Sequence, residues 1–394
     1  MTKQDIFVVG TARTAIGSFG GTLKDVPLGE LGTTAVKAAI ERSGLTADRI
    51  EHVVMGNVIP TEPRDAYLSR VCAIGAGVPK ESPAFNVNRL CGSGLQAIIS
   101  AAQTIMLGDA SIALGGGAES MSRGLFMVPS MRWGARMGDT GIVDYMVGIL
   151  TDPFSKVHMG ITAETVAERY GITRAMQDEL AVESQRRAAR AIAEGRFKSQ
   201  IVAVSVPSRK GPVNFDTDEN VRGDVSVEQL AKMKPAFKAD GLVTAGNASS
   251  INDGAGAVVL ASGAAVKSQG LQPLARLVAY AHAGVEPGIM GIGPVPATQL
   301  ALQRAGLRVQ DMDVIEANEA FAAQACAVAK ELQFDPAKVN PNGSGISLGH
   351  PVGATGAIIT VKAVHELARI QGRYALVTMC IGGGQGIAAI FERA

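Results

Sequence analysis

Strand and helix signals alternate along the first 120 or so residues, break off, and resume near residue 246. No other property of the chain restricts its fold as strongly. Ile6–Gly10 reads as a first strand, Leu28–Ser43 carries a helical pattern, His52–Ile59 is apolar and β-branched, and residues 67–77 look helical. Alternation of this kind predicts a layered α/β domain. From Ala118 to about Ala245 the texture changes to Met- and Arg-rich loop sequence, a long helix over Arg174–Glu194 and Pro/Gly-punctuated segments, which reads as an insertion or lid. Strand signals then return at Ala257–Leu260, Leu274–Tyr280 and Val314–Ala317, with a helix over Ala297–Arg304.

The last stretch repeats the order of the first. Val339–Gly343 parallels Phe85–Asn88, each leading through small residues toward a helix. Tyr374–Met379 runs into Gly382-Gly383-Gly384 as Ile112–Leu114 runs into Gly115-Gly116-Gly117. Two similar halves are therefore expected, with equivalent loops facing one another.

Asn88-Arg89-Leu90-Cys91-Gly92-Ser93-Gly94-Leu95 ends a polar lead-in at a cysteine and opens a helix through Leu95, Ile98, Ile99, Ala102 and Met106, closed by Gly108. At a helix N-terminus, free N–H groups and the macrodipole favour thiolate, which would make Cys91 a nucleophile. Gly92 and Gly94 would let an acyl group approach the sulfur. A small cysteine packed in a tight turn fits the same letters. Three further clusters stand beside it. His350, at the mouth of a helix that Pro351 begins, is expected neutral and suited to a base or hydrogen-bond donor; capping or packing is its alternative. Cys380 ends an apolar strand before a glycine run whose N–H groups could converge on an anion. Glu316-Ala317-Asn318-Glu319-Ala320-Phe321 follows another strand.

Balanced charge, 37 basic against 36 acidic residues, gives no reason to expect a nucleic-acid or membrane partner. The first apolar run is too short for a signal-peptide core and no segment is expected to approach a membrane span, so a cytoplasmic location is expected. Four cysteines without metal-ligand spacing predict neither a disulfide scaffold nor a zinc site. Cys72 and Cys326 look like core, His52 and His365 like surface or strand-end residues, and His282 is ambiguous. Glycosylation at Asn247 or Asn342 is the poorer reading of two Gly/Ser-rich loops. There is no P-loop, dinucleotide fingerprint or serine nucleophile elbow.

Together, the Asn88–Gly94 block, Asn318-Glu319-Ala320-Phe321, Gly349-His350-Pro351 and Cys380–Gly384 resemble the thiolase family. Gly115–Ser122 and Thr244–Ser249 join the match, in family order across essentially the whole chain. The resemblance is nearest to bacterial β-ketothiolases of the acetyl-CoA acetyltransferase type. It implies a five-layer αβαβα body: an N-terminal half over residues 1–120 plus 246–272, a loop domain over 121–245, and a C-terminal half over 273–394. It implies that Cys91 becomes acylated, His350 activates it, and Cys380 shuttles the proton at the α-carbon or leaving thiol. Asn318 would hold a water that binds the thioester oxygen with His350, and the N–H groups of Cys91 and Gly382 would form a second oxyanion hole. His158, Arg222, Phe237, Ala248, Ser249 and Phe321 would line the coenzyme A or acyl pocket. Coenzyme A thioesters enter as substrates, with no metal or redox cofactor, and a homo-oligomer, dimer or tetramer, is expected. The implied reaction is reversible condensation of acetyl-CoA with an acyl-CoA, or thiolysis of a 3-ketoacyl-CoA. A degradative thiolase of longer or specialised chains and an inactive acyl-CoA-binding relative are the alternatives. A ketoacyl synthase, which has histidine or asparagine where this chain has Cys380, is disfavoured.

Overall fold

The computed structural model describes residues 4–209 and 211–394. In the first half, β1 (Ile6–Thr14), α1 (Leu28–Arg42), β2 (His52–Gly56), α2 (Leu68–Gly75), β3 (Ala84–Val87), α3 (Ser93–Leu107) and β4 (Ile112–Ser120) follow in turn. The stretch after β4 contributes short elements and two long helices, α4 (Met159–Tyr170) and α5 (Arg174–Ala193). β5 (Asn252–Ser262) and β6 (Ala275–Gly284) lead to α6 (Pro294–Ala305), β7 (Val314–Ala317), α7 (Ala322–Glu331), α8 (Val352–Arg369), β8 (Tyr374–Ile381) and β9 (Gln385–Arg393).

The strands lie in the order β7-β8-β9-β6-β1-β5-β4-β2-β3 within an 11-stranded sheet. Its two parts are joined by a narrow seam, where β1 meets β6 only at Phe7↔Arg276 and Val8↔Ala275. Alternate residues of each part face different cores, as the strand period requires. Val54, Ala113, Val258 and Leu260 of the first part and Val377, Met379, Ala389 and Phe391 of the second close on α3 and α8 between them. Met55, Ile112, Leu114 and Val259 face α1 and α2 on one outside. Leu376, Cys380, Ala388 and Ile390 face α6 and α7 on the other. The layers are thus α1/α2, sheet, α3/α8, sheet, α6/α7: five layers, as expected.

This sandwich explains the character of α3. Leu90–Leu107 is long and apolar enough to cross a membrane, contrary to the expectation that no segment would be. Its apolar residues are covered by both sheets, and one polar row runs along it, with Gln96 bonded to Ser100 and Gln103 to Tyr280. Gly115 and Gly117 belong to the same packing and not to a turn. A Cβ on Gly115 would lie 2.4 Å from Ile98 Cα of α3, and one on Gly117 would lie 2.3 Å from Gly353 O of α8. The parallel with Gly382–Gly384 therefore fails: those residues form the β8–β9 connection, with φ of +80° and +89° at Gly383 and Gly384. The parallel between Val339 and β3 is also partial, because Val339 makes only a single bridge to Ile315.

The stretch between β4 and β5 is tied to the body by buried charge. Arg13 in β1 forms a bidentate pair with Asp218, at 2.8 and 2.9 Å, and both side chains are fully buried. His365, expected at the surface, sits beside this pair, with Nε2 2.9 Å from Thr11 Oγ1 and Nδ1 2.9 Å from Ser199 Oγ. Asn247 and Asn342 are buried, bonded to Asp178 and Glu366, which leaves no room for a glycan.

Candidate active site

Cys91 is delivered by a sharp turn. Leu90 adopts φ +47°, a left-handed conformation that costs a non-glycine residue about 1–3 kcal/mol and marks functional turns. Asn88 Oδ1 accepts the Leu90 N–H at 2.9 Å, and Ser93 Oγ accepts the Arg89 N–H at 2.8 Å while donating to Leu90 O at 2.7 Å. These bonds hold Cys91 just ahead of α3, whose N-cap is Gly92. Packing alone already requires the two glycines. A Cβ on Gly92 would lie 2.6 Å from Ile381 Cδ1, and one on Gly94 would lie 2.6 Å from the Ala357 backbone N in α8.

Cys380, near the end of β8, and His350, ahead of α8, arrive from the other half of the sequence, and both share a cleft with Cys91. The cleft is narrow and is also lined by Gly382, Ser249 and Phe321. Apolar side chains, among them Val58, Leu150, Met159 and Met290, make up much of the remaining wall. The backbone N–H groups of Gly382 and of Cys91 itself lie on the side of the Cys91 sulfur and favour its thiolate. Burial nevertheless dominates and pushes the Cys91 thiol up to about 11. The expectation of a resting thiolate is corrected here: lost hydration outweighs the donors at the turn. Burial, then the nearby Cys91 sulfur, pushes Cys380 higher still. Burial alone holds His350 down to about 4, so the imidazole is neutral as expected, from desolvation more than from the helix end. At rest the site is two thiols and a neutral imidazole.

His350 is fixed from several sides. Its N–H donates to Asn252 Oδ1 at 2.9 Å. Gly349, at φ +113°, makes room for that amide, because a Cβ there would fall 2.5 Å from Asn252 Cγ. Nδ1 lies 2.7 Å from Thr355 Oγ1, and Nε2 lies 3.4 Å from Asn318 Nδ2. Asn318 follows β7 directly, its N–H bonded to Thr378 O at 3.0 Å, and its Oδ1 is buried without a partner. Beneath the loop, Glu119 accepts the N–H groups of Val58 at 3.1 Å, Ile59 at 3.0 Å and Gly353 at 2.7 Å, clamping the two halves together.

Most of the residues expected at the acyl pocket form one wall. His158 caps α4 by accepting the Gly160 N–H at 3.0 Å and stacks on Phe237 with ring centroids 4.6 Å apart. Phe237 meets Phe321 edge-on at 6.2 Å. Ala248 bridges to Phe321, and the Ser249 N–H donates to Ala320 O at 2.9 Å, which brings Ser249 into the cleft. Arg222 is exposed and not part of the cleft lining; its backbone N–H donates to Gln185 Oε1 at 2.7 Å. Among the described residues, no group of His, Cys, Asp or Glu could hold a metal. Cys72 is core, whereas Cys326 is half-buried and donates to Met176 O at 3.6 Å.

Sequence reasoning missed Thr355 and Asn252, which hold His350, and the apolar wall at Val58, Ile149, Leu150 and Val352. Thr355 lies one helical turn beyond Pro351, a spacing that could have flagged it. The others meet the site only through long-range contacts.

Comparison with known proteins adds the following. Residues 6–264 match the model of the thiolase N-terminal domain, and residues 271–393 that of the thiolase C-terminal domain. The chain is 65% identical over 394 residues to the β-ketothiolase BktB of Cupriavidus necator, covering 100% of both chains. It is 50% identical over 392 residues to an acetyl-CoA acetyltransferase of Pseudomonas aeruginosa, covering 99% of this chain and 100% of that one. Among solved structures, human mitochondrial 3-ketoacyl-CoA thiolase in complex with CoA is similar with a TM-score of 0.96 at 44% identity, covering 99% of this chain and 98% of that one.

Proposed function

The chain belongs to the thiolase family of acyltransferases, and from that premise we propose a β-ketothiolase, or acetyl-CoA C-acetyltransferase, working through an acylated Cys91. The observation that carries the residue roles is the convergence of Cys91, His350 and Cys380 on one cleft. In thiolysis, His350 Nε2 takes the Cys91 proton as the sulfur attacks the 3-keto carbon of the substrate. The C2–C3 bond breaks, and the released enolate takes its proton from Cys380, leaving acetyl-CoA and an acyl thioester on Cys91. Free CoA then gives its thiol proton to the Cys380 thiolate and attacks the thioester. Cys91 leaves, recovers its proton from His350, and a shortened acyl-CoA departs. Condensation is the same path reversed.

The donors fit this scheme. The N–H groups of Cys91 and Gly382 beside the sulfur would receive an acyl oxygen carried on it, and a preorganised donor of this kind contributes roughly 10²–10³ in rate. The unpartnered Asn318 Oδ1 supports the bound water expected there. In this reading the stacked His158–Phe237 pair, Ala248, Ser249 and Phe321 take the pantetheine and acyl portions, and exposed Arg222 takes the charged nucleotide end of coenzyme A. A homo-oligomer is part of the same reading, supported by exposed Trp133, Met137 and Phe126, which a second copy would cover.

The test is intact-mass analysis after mixing with acetyl-CoA. An acetyl adduct confined to Cys91, absent in Cys91→Ala along with thiolysis of acetoacetyl-CoA, is the expected result. Normal turnover by Cys91→Ala would refute the assignment.

A further inference from the structure

A base that must pick up and return a proton at one nitrogen needs its other nitrogen occupied throughout. In this protein the ring of His350 is buried, and each nitrogen has one protein neighbour: Thr355 Oγ1 at 2.7 Å from Nδ1 and Asn318 Nδ2 at 3.4 Å from Nε2. Thr355 Oγ1 also lies 2.9 Å from Pro351 O, one turn back in the chain. A hydroxyl has a single proton. If it goes to the Pro351 carbonyl, Thr355 meets His350 only as an acceptor, and Nδ1 must carry a hydrogen. On the other side, an amide nitrogen faces Nε2, and an N–H₂ group fits an unprotonated nitrogen.

We infer that Thr355 is a positioning residue that keeps a proton on His350 Nδ1 in every state of the reaction, so that Nε2 alone exchanges protons with Cys91. The inference rests on the acyl-Cys91 reading above and deepens it. At rest the Nε2 lone pair meets only the Asn318 amide at 3.4 Å, a long contact that leaves it open to a proton. When the Cys91 S–H bond breaks and the sulfur–carbon bond forms, that proton moves to Nε2 and the ring becomes an imidazolium. The new Nε2–H is then the donor that a thioester oxygen near Asn318 requires. On release of the acyl group the proton returns to the sulfur. Nδ1–H donates to Thr355 in both forms, so no ring flip or tautomer change separates the base from the donor. Thr355 touches neither substrate nor reacting atoms. Its backbone is held independently, with its N–H bonded to Pro351 O at 2.9 Å, so removing the hydroxyl leaves the helix turn closed.

The experiment compares the full-length enzyme with Thr355→Val, which keeps the shape and loses the hydroxyl, and Thr355→Ser, which keeps the hydroxyl. Ring nitrogens are read by ¹⁵N–¹H correlation on histidine-labelled protein, with His350→Asn to assign the signals. Wild type and Thr355→Ser are expected to show Nδ1 protonated and Nε2 bare, and Thr355→Val to show mixed or reversed tautomers. The rate of Cys91 acetylation by acetyl-CoA should fall at least about tenfold in Thr355→Val, part of what a positioned base supplies, with KM for CoA unchanged and Thr355→Ser close to wild type. If Thr355→Val does not fold, Thr355→Ala against Thr355→Ser makes the same comparison. A wild-type Nε2–H tautomer, an unimpaired Thr355→Val, or a Thr355→Ser as slow as the valine variant would each overturn the inference. Failure of wild type itself to acetylate Cys91 would instead remove the functional reading beneath it.

Discussion

Asn318 turns its amide nitrogen toward His350 Nε2 at 3.4 Å while its own carbonyl oxygen stays buried and unpartnered. A neutral amide leaves the imidazole at the low pKa that burial sets, about 4. Asn318→Asp would put a carboxylate in the same place and favour the imidazolium. The acid limb of kcat/KM for acetoacetyl-CoA thiolysis should therefore move up toward neutral pH, with a loss of roughly 10²–10³ below it. An unchanged profile would show that Asn318 does not face the working base.

Cys380→Ser keeps the shape but replaces the thiol with a far weaker acid. Exchange of the acetyl-CoA α-protons with deuterated solvent should slow much more than acetylation of Cys91. Equal slowing of the two would contradict the division of labour between the sulfurs.

Gly92→Ala and Gly94→Ala should differ sharply. The methyl at position 92 meets the tip of Ile381, which can rotate away, whereas at 94 it meets the Ala357 backbone N at 2.6 Å and Gly353 O at 3.1 Å. Overpacking against backbone costs about 1–3 kcal/mol or more. Gly94→Ala is expected to lower the melting temperature clearly and Gly92→Ala only slightly. A reversed order would mean α3 and α8 are not as tightly apposed as described.

His365 gives a pH signature. Burial, with Arg42 and Arg13 nearby, holds it down to about 4, against an ordinary 6.5. The unfolded chain takes up this proton near 6.5 and the folded one does not until about 4. Stability that is complete above 6.5 is therefore lost as pH falls toward 4. Melting temperatures should decline over that window in wild type and decline less in His365→Asn; parallel curves would contradict this.

Phe237→Ala removes the ring stacked on His158. An aromatic pair contributes about 0.5–1.5 kcal/mol beyond area. KM for acyl-CoA should rise several-fold while alkylation of Cys91 by iodoacetamide keeps its rate. A normal KM would place coenzyme A elsewhere.

The sequence announces its layers because strands buried on both faces read as short apolar runs, as Val53-Val54-Met55 and Ala375-Leu376-Val377 do. Cys91, His350, Asn318 and Cys380 are legible because each ends a periodic segment beside glycine or another small residue. What lies hidden depends on burial and distant neighbours. The direction of the Cys91 pKa follows from water excluded by both halves, which the turn itself does not reveal. Gly115 resembles a loop glycine until Ile98 is found against it. His365 resembles a surface residue until Thr11 and Ser199, both far away in sequence, close on it.

The uncharged resting state of the cleft also bears on how long such an enzyme lasts. Peroxide and stray electrophiles attack thiolates, and burial that pushes the Cys91 thiol up to about 11 lowers the share of thiolate they meet. Full reactivity comes when a thioester occupies the cleft and His350 accepts the proton as the sulfur attacks. Between turnovers the nucleophile rests mostly as the thiol, so durability and catalysis draw on the same exclusion of water.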